Sequence, residues 1–290
     1  MSRIFVALLV FLFTPGICTA AHTQDREGGP AYAVVAGTEL IADIVRDLLR
    51  HRVNLLTLIP ASSCPGHHDI RASDMAFFTG ADMAIIHAWQ KNYPGIDEAV
   101  AAARLPERSV KTVAGSGSLL VPENQIRASR TVAEFLFSLP GVDRAAIEQS
   151  LNRRIARIAA LDAECRTLLA PYAGTAALSA FMQEEFVRWA GMDVIAAYGR
   201  AEDLSPGKAM ELTARGRKAG ARIVVDNLQS GAEAGLALAG EMAAAHVTFS
   251  NFPGNAAETG TYESLVRHNV ALLSAALEQS KPALDGVNGQ

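Results

Sequence analysis

What constrains this chain most is a rhythm that occurs twice and is interrupted once. Residues 32–36 (YAVVA) have the composition of a short buried strand, and Gly37 and Thr38 follow as a helix entry. Leu40, Ile41, Ile44, Val45, Leu48 and Leu49 then recur at helical spacing. A second strand is expected over 52–59, ended by Pro60, and a helix over 74–80 leads into a third strand, 83–87. These strands are apolar throughout rather than alternating, which implies parallel sheets covered by helices on both faces. The rhythm resumes with strands expected at 175–180, 193–198, 221–225 and 246–250, and a closing helix over 262–277.

Between the two sets lies residues 141–171. Ile147, Leu151, Ile155, Ile158, Leu161, Cys165 and Leu168 form one apolar stripe at steps of three and four, with Arg153, Arg154, Arg157 and Glu164 outside it. A helix of about 29 residues would be roughly 43 Å long, the length of an inter-domain strut. The expected fold class is therefore α/β: two small lobes with mostly parallel sheets, at 22–140 and 172–290, joined by one long rigid helix at 141–171. Open parallel sheets bind ligands at the carboxyl ends of their strands, so the cleft between the lobes is the expected site.

The first 21 residues read as a secretory signal peptide. Arg3 precedes an apolar run of ten residues (IFVALLVFLF), Pro15 and Gly16 break it, and Thr19, Ala20 and Ala21 supply small residues for cleavage. The run is shorter than the roughly 20 residues that span a bilayer. Cys18 also invites lipidation, although Pro15-Gly16-Ile17 is a poor match to a lipobox. The expectation is a periplasmic protein. Without Arg3 the chain has 25 basic and 30 acidic residues, about −5, and no basic excess with which to neutralise nucleic-acid phosphates. Cys64 and Cys165 would remain, and an oxidising exterior permits them to pair or to stay as buried thiols.

Signatures of known catalytic chemistry are missing: the chain has no HExxH, GxSxG, GxxxxGK[ST] or complete GxGxxG. Gly115-Ser116-Gly117 reads as a loop. The histidines are more informative. His67 and His68 stand in a turn-rich segment, SSCPGHHD, directly after a strand, and His87 sits where the third strand runs out. Neutral imidazole is the commonest ligand for divalent transition ions, and two strand ends of one lobe can converge on one ion.

At this point the chain resembles the metal-binding solute-binding proteins of bacterial zinc and manganese ABC importers. The resemblance rests on the order of a strand, GTELIADIVRDLL, a second strand ending in Leu58-Ile59-Pro60, a His-bearing loop and Ala72-Ser73-Asp74. VPENQIRASRTVAEFL, the long helix and the closing TYESLVRHNVALLSAAL continue it. It implies that His67 corresponds to the first metal ligand, with His68 as a competitor. The second ligand would fall in 115–120, which holds no imidazole. The third would lie among Phe181, Met182, Gln183, Glu184 and Glu185, and the closing Asp falls at Asn251. A rebuilt site would draw on His67, His68 and His87 with one of Glu184, Glu185 or Asp226, and Met182, Gln183 and Asn251 are further cleft candidates. Asp226 ends an apolar run, ARIVVD, where a carboxylate either faces the cleft or caps the next helix.

These readings imply a binding protein rather than an enzyme. It would capture a divalent ion, zinc or manganese, or a small metal complex, and deliver it as a monomer to a membrane permease. The alternatives are the same fold retuned to a non-metal solute, an exported metal-dependent hydrolase using His67, His87 and Glu185, and an adhesin.

Overall fold

The computed structural model describes residues 31–280 apart from 64–68, 116 and 232. The expected signal peptide, Cys18, Cys64, His67 and His68 therefore lie outside the described residues.

The first lobe holds β1 (Tyr32–Thr38), α1 (Glu39–Leu49), β2 (Val53–Ile59), α2 (Ala72–Thr79), β3 (Met83–His87), α3 (Pro94–Ala103), β4 (Val110–Val113) and α4 (Pro122–Leu136). The second holds β5 (Ala176–Ala180), α6 (Glu184–Trp189), β6 (Asp193–Tyr198), α7 (Pro206–Ala219), β7 (Ile223–Asn227), α8 (Ala234–Met242), β8 (Ala245–Phe249) and α9 (Tyr262–Gln279). Between them runs α5 (Arg144–Leu169). Both sheets are wholly parallel and share one topology, β2-β1-β3-β4 and β6-β5-β7-β8. In each, the chain steps outward from its first strand, then crosses back. The topological switch points thus lie between β1 and β3 and between β5 and β7.

Strand periodicity sorts the side chains into two cores per lobe. Val34, Ala36 and Ile85 face α1, α4 and the start of α5, whereas Val35, Ala84 and Ile86 face α2 and α3. In the second lobe, Ile223, Val225 and Phe249 pack against α5, α6 and α9, and Leu178 and Val224 lie beneath α7 and α8. Each fully buried Leu, Ile or Phe contributes roughly 1.5–3 kcal/mol of burial.

The long helix has 26 residues, about 39 Å at 1.5 Å each. The Asp143 side chain accepts from the Ala146 backbone N–H at 3.1 Å and caps its N-terminus. Two expectations about its faces need correction. Leu168, placed on the apolar stripe, is half exposed, and Arg154, placed outside it, is 1 % exposed. Arg154 is buried because carboxylates meet it there: Nη2 donates to Asp43 at 2.7 Å, Nη1 to Asp47 at 3.0 Å and Nε to Ser129 at 3.0 Å. Burial pushes the Asp43 carboxyl up, and the Arg154 guanidinium opposes it. Arg157 continues the network to Asp47 and Glu263, and Asp43 also accepts from the Tyr262 backbone N–H at 3.2 Å. One guanidinium on the strut therefore ties α1 and α4 of the first lobe to the start of α9 in the second. Tyr262 adds a bond of its own to the Leu120 carbonyl, 2.8 Å away.

The strand bounds shift slightly. The run expected at 221–225 is Ile223–Asn227, two residues later, and this moves the strand end onto Asn227. Cys165 is a free thiol in the second-lobe core, which pushes its pKa up to about 11. Among the described residues no helix is long and apolar enough to cross a membrane.

Candidate functional site

The carboxyl ends of both sheets open onto one cleft of about 960 Å³ between the lobes. The first lobe supplies His87, Trp89 and Tyr93 after β3, residues of the β4–α4 loop, and Asn124 and Arg127 of α4. The second supplies Phe181, Met182 and Glu185, the β7 end at Asn227, and Gln229 and Asn251.

His87 is held tightly. Its Nε2 lies 2.8 Å from the Thr38 hydroxyl at the end of β1, and its backbone N–H donates to Gln90 Oε1 at 2.8 Å. Gln90 Nε2 in turn donates to the Gly37 carbonyl at 3.0 Å. A Cβ on Gly37 would fall 2.0 Å from Gln90 Oε1, so this strap requires glycine. The His87 ring stacks on Trp89 at 5.2 Å, and Trp89 meets Tyr93 edge-on at 5.4 Å. Burial lowers the His87 pKa to about 4, so the ring is neutral at pH 7, the form that ligates metals.

Glu185 spans the cleft. Its Oε1 accepts from Asn124 Nδ2 at 2.7 Å, and its Oε2 accepts from the Ser118 backbone N–H. Gly117, at φ +120°, lies directly beneath: a Cβ there would come within 2.4 Å of Asn124 Nδ2 and 2.6 Å of Glu185 Oε1. Another inter-lobe bond runs from Gln229 Nε2 to the Ala61 carbonyl at 2.9 Å.

Neutral amides build the part of the second-lobe wall around the β7 end, beside the charged Glu185, Arg200 and Asp203. Gln183 Nε2 donates to Asn227 Oδ1 at 3.1 Å and to Asn251 Oδ1 at 2.8 Å, and the Asn251 backbone N–H donates to Gln229 Oε1 at 2.9 Å. Gln183 stands fully buried behind this pair, with Oε1 unpartnered among the described residues.

His87, Met182, Glu185 and Asn251 thus line one cleft, with Gln183 behind its wall. The segments in which the resemblance places the second, third and closing ligands (115–120, 181–185 and Asn251) all border it. Asp226 points elsewhere. It is 1 % exposed, accepts from Tyr198 OH at 2.8 Å and from the Gly235 N–H in the first turn of α8, and lies 2.7 Å from His246 Nε2. Successive strand residues face opposite sides, so Asn227 rather than Asp226 takes the cleft side. Thr38, Trp89, Asn124 and Asn227 had no signal of their own in the sequence. Asn227 was recoverable only from strand alternation with an accurate strand end. Among the described residues, no group of three or more His, Cys, Asp or Glu side chains is placed to hold a metal ion.

The family described as ZnuA, zinc-uptake complex component A, periplasmic, matches residues 34–276. This chain belongs to that family. It is 23% identical over 185 residues to the metal ABC transporter substrate-binding lipoprotein ScbA of Streptococcus cristatus and, equally, to the manganese ABC transporter substrate-binding lipoprotein scaA of Streptococcus gordonii. Each match covers 57% of this chain and 60% of the relative, so the chain matches only about three fifths of those proteins' length. Solved structures share the fold. A crystal structure of ZnuA superposes with TM-score 0.71 at 15% identity, over 85% of this chain and 99% of that one. The manganese-bound periplasmic metal binding protein of Candidatus Liberibacter asiaticus does so with TM-score 0.71 at 12% identity and the same coverage.

Proposed function

We propose that the protein is the extracytoplasmic solute-binding component of an ABC importer and that its cargo is a divalent metal of the zinc or manganese class. The observation that carries this reading is the family match across both lobes, joined to a cleft at the two switch points in which His87 and Glu185 stand on opposite walls. His87 offers a neutral imidazole. Glu185 offers a carboxylate that exchanges the Asn124 and Ser118 N–H groups for the ion, and His67 and His68 are further candidate donors. Asp226, committed to Tyr198, Gly235 and His246, stands outside it.

Binding is stoichiometric, without turnover. The buried Arg154 network limits the lobes to small relative motion, so capture works through side chains at the cleft rather than through wide closure. The exported monomer presents its loaded cleft to a membrane permease, whose ATPase is a separate chain. The neutral wall of Asn227, Asn251 and Gln229 favours a second reading, the same cleft serving a non-metal solute. Uptake separates the two. A host strain lacking this protein is expected to accumulate less zinc or manganese under limitation, with wild type but not His87→Ala restoring it. Unchanged metal content in the deletion strain would reject the metal reading.

A further inference from the structure

The cleft is far larger than an ion requires. At roughly 30 Å³ per water, an ion with six waters would displace about 180 Å³, against about 960 Å³ here. The space does not reflect lobes standing apart. Glu185 already bonds to Asn124 and Ser118, Gln229 to Ala61, and Tyr262 to Leu120 across the lobes, and Arg154 locks the strut. A volume of 300–1,000 Å³ is that of a site for a small organic molecule.

The walls agree with the volume. Phe181 and Met182 are each 59 % exposed and Trp89 is 37 % exposed, and all three border the cleft. Large apolar side chains left in water at the mouth of a cleft mark surface that a ligand covers. On the same lobe as Phe181 and Met182, Asn227 and Asn251 are fixed by Gln183 and offer neutral hydrogen-bonding groups, and the charged residues of the lining balance, Arg127 and Arg200 against Glu185 and Asp203.

Resting on the importer reading, we propose that the cargo is a metal complex: a divalent ion carried by a small, planar organic chelator of low net charge. The chelator supplies most of the coordination. His87 fills a position that it leaves open, the Trp89–Phe181–Met182 rim covers its flat faces, and the amides bond its carboxylate or carbonyl oxygens.

Pyridine-2,6-dicarboxylate tests this, because its one-to-one zinc complex is neutral, planar and leaves coordination positions free. Calorimetric titration of the purified protein with zinc alone, chelator alone and the complex is expected to show the complex binding at least tenfold more tightly than either component. Phe181→Ala and Trp89→Ala should each weaken the complex about tenfold, while Met210→Ser, at an exposed site on α7 outside the cleft, should not. Zinc alone binding as tightly as the complex would overturn this inference and leave the importer reading standing. Chelator alone binding as tightly as the complex would overturn it in favour of a non-metal solute. Failure of both zinc and the complex to bind would reject the metal reading and this inference together. Tight binding of the complex that ignores both rim substitutions would overturn the assignment of the wall.

Discussion

The two lobes share a strand order and differ in what stands at their strand ends. In the first, β1 passes directly into α1 at Thr38, and β3 ends in His87, so the switch point carries a hydroxyl–imidazole pair backed by Trp89. In the second, the turn Phe181–Gln183 separates β5 from α6, and β7 ends in Asn227, so the switch point carries an amide triad. At its switch point one lobe offers an imidazole stacked on an indole and the other offers neutral amides, while Phe181, Met182 and Glu185 line the cleft from the second lobe. A topology fixes where a site lies; the few residues beyond each strand fix its chemistry.

That contrast holds only if the lobes form one body, so the largest expected effect falls on the strut. Arg154→Ala leaves Asp43 buried without its partner and is expected to cost about 3–5 kcal/mol in urea unfolding. A loss below about 1 kcal/mol would mean that the lobes do not depend on this network. Next comes the asymmetry between His87 and Asn227. Burial holds the folded His87 pKa near 4, below its ordinary 6.5, so between these values the unfolded chain binds more protons. Stability of the metal-free protein should therefore fall as pH drops from about 6.5 to about 4, by on the order of 3 kcal/mol. His87→Asn, which puts the second lobe's strand-end residue in the first, should flatten this window, as measured by denaturant titration at successive pH values.

A smaller effect tests the contact across the cleft. Gly117→Ala forces a Cβ into a positive-φ position against Asn124 and Glu185 and should cost about 1–3 kcal/mol; an unchanged unfolding midpoint would show that the contact does not tie the lobes. The smallest is Thr38→Val, which removes one hydroxyl from the His87 pair at a cost of about 1 kcal/mol. A shift in the His87 imidazole resonances should accompany it, and identical spectra would argue that the pair does not position the ring.

How much of this was legible in the sequence depends on the scale of the feature. The strands could be read because apolar runs such as YAVVA and MAIIH have only one comfortable environment, a sheet covered on both faces. The strut was visible from its stripe, but Arg154 was misplaced. Periodicity sees an arginine as solvent-facing and cannot see that Asp43 and Asp47, over a hundred residues earlier, converge on it. His87 could be placed at a strand end because β3 is short and sharply bounded. Asp226 and Asn227 could not be separated, because a two-residue shift in the strand end decides how far the strand carries them. Nor could Glu185 be distinguished from Glu184, since only the fold brings Asn124 and Ser118 to one of them.

The central claim is that a metal is captured between these lobes by imidazole. Its most direct test is titration of zinc and manganese into the protein lacking residues 1–21, beside a His67→Ala, His87→Ala double variant, with metal content measured by elemental analysis. The account predicts one equivalent bound at micromolar concentration or below and lost in the double variant. No transition metal bound at micromolar concentration, or binding that ignores both histidines, would contradict it.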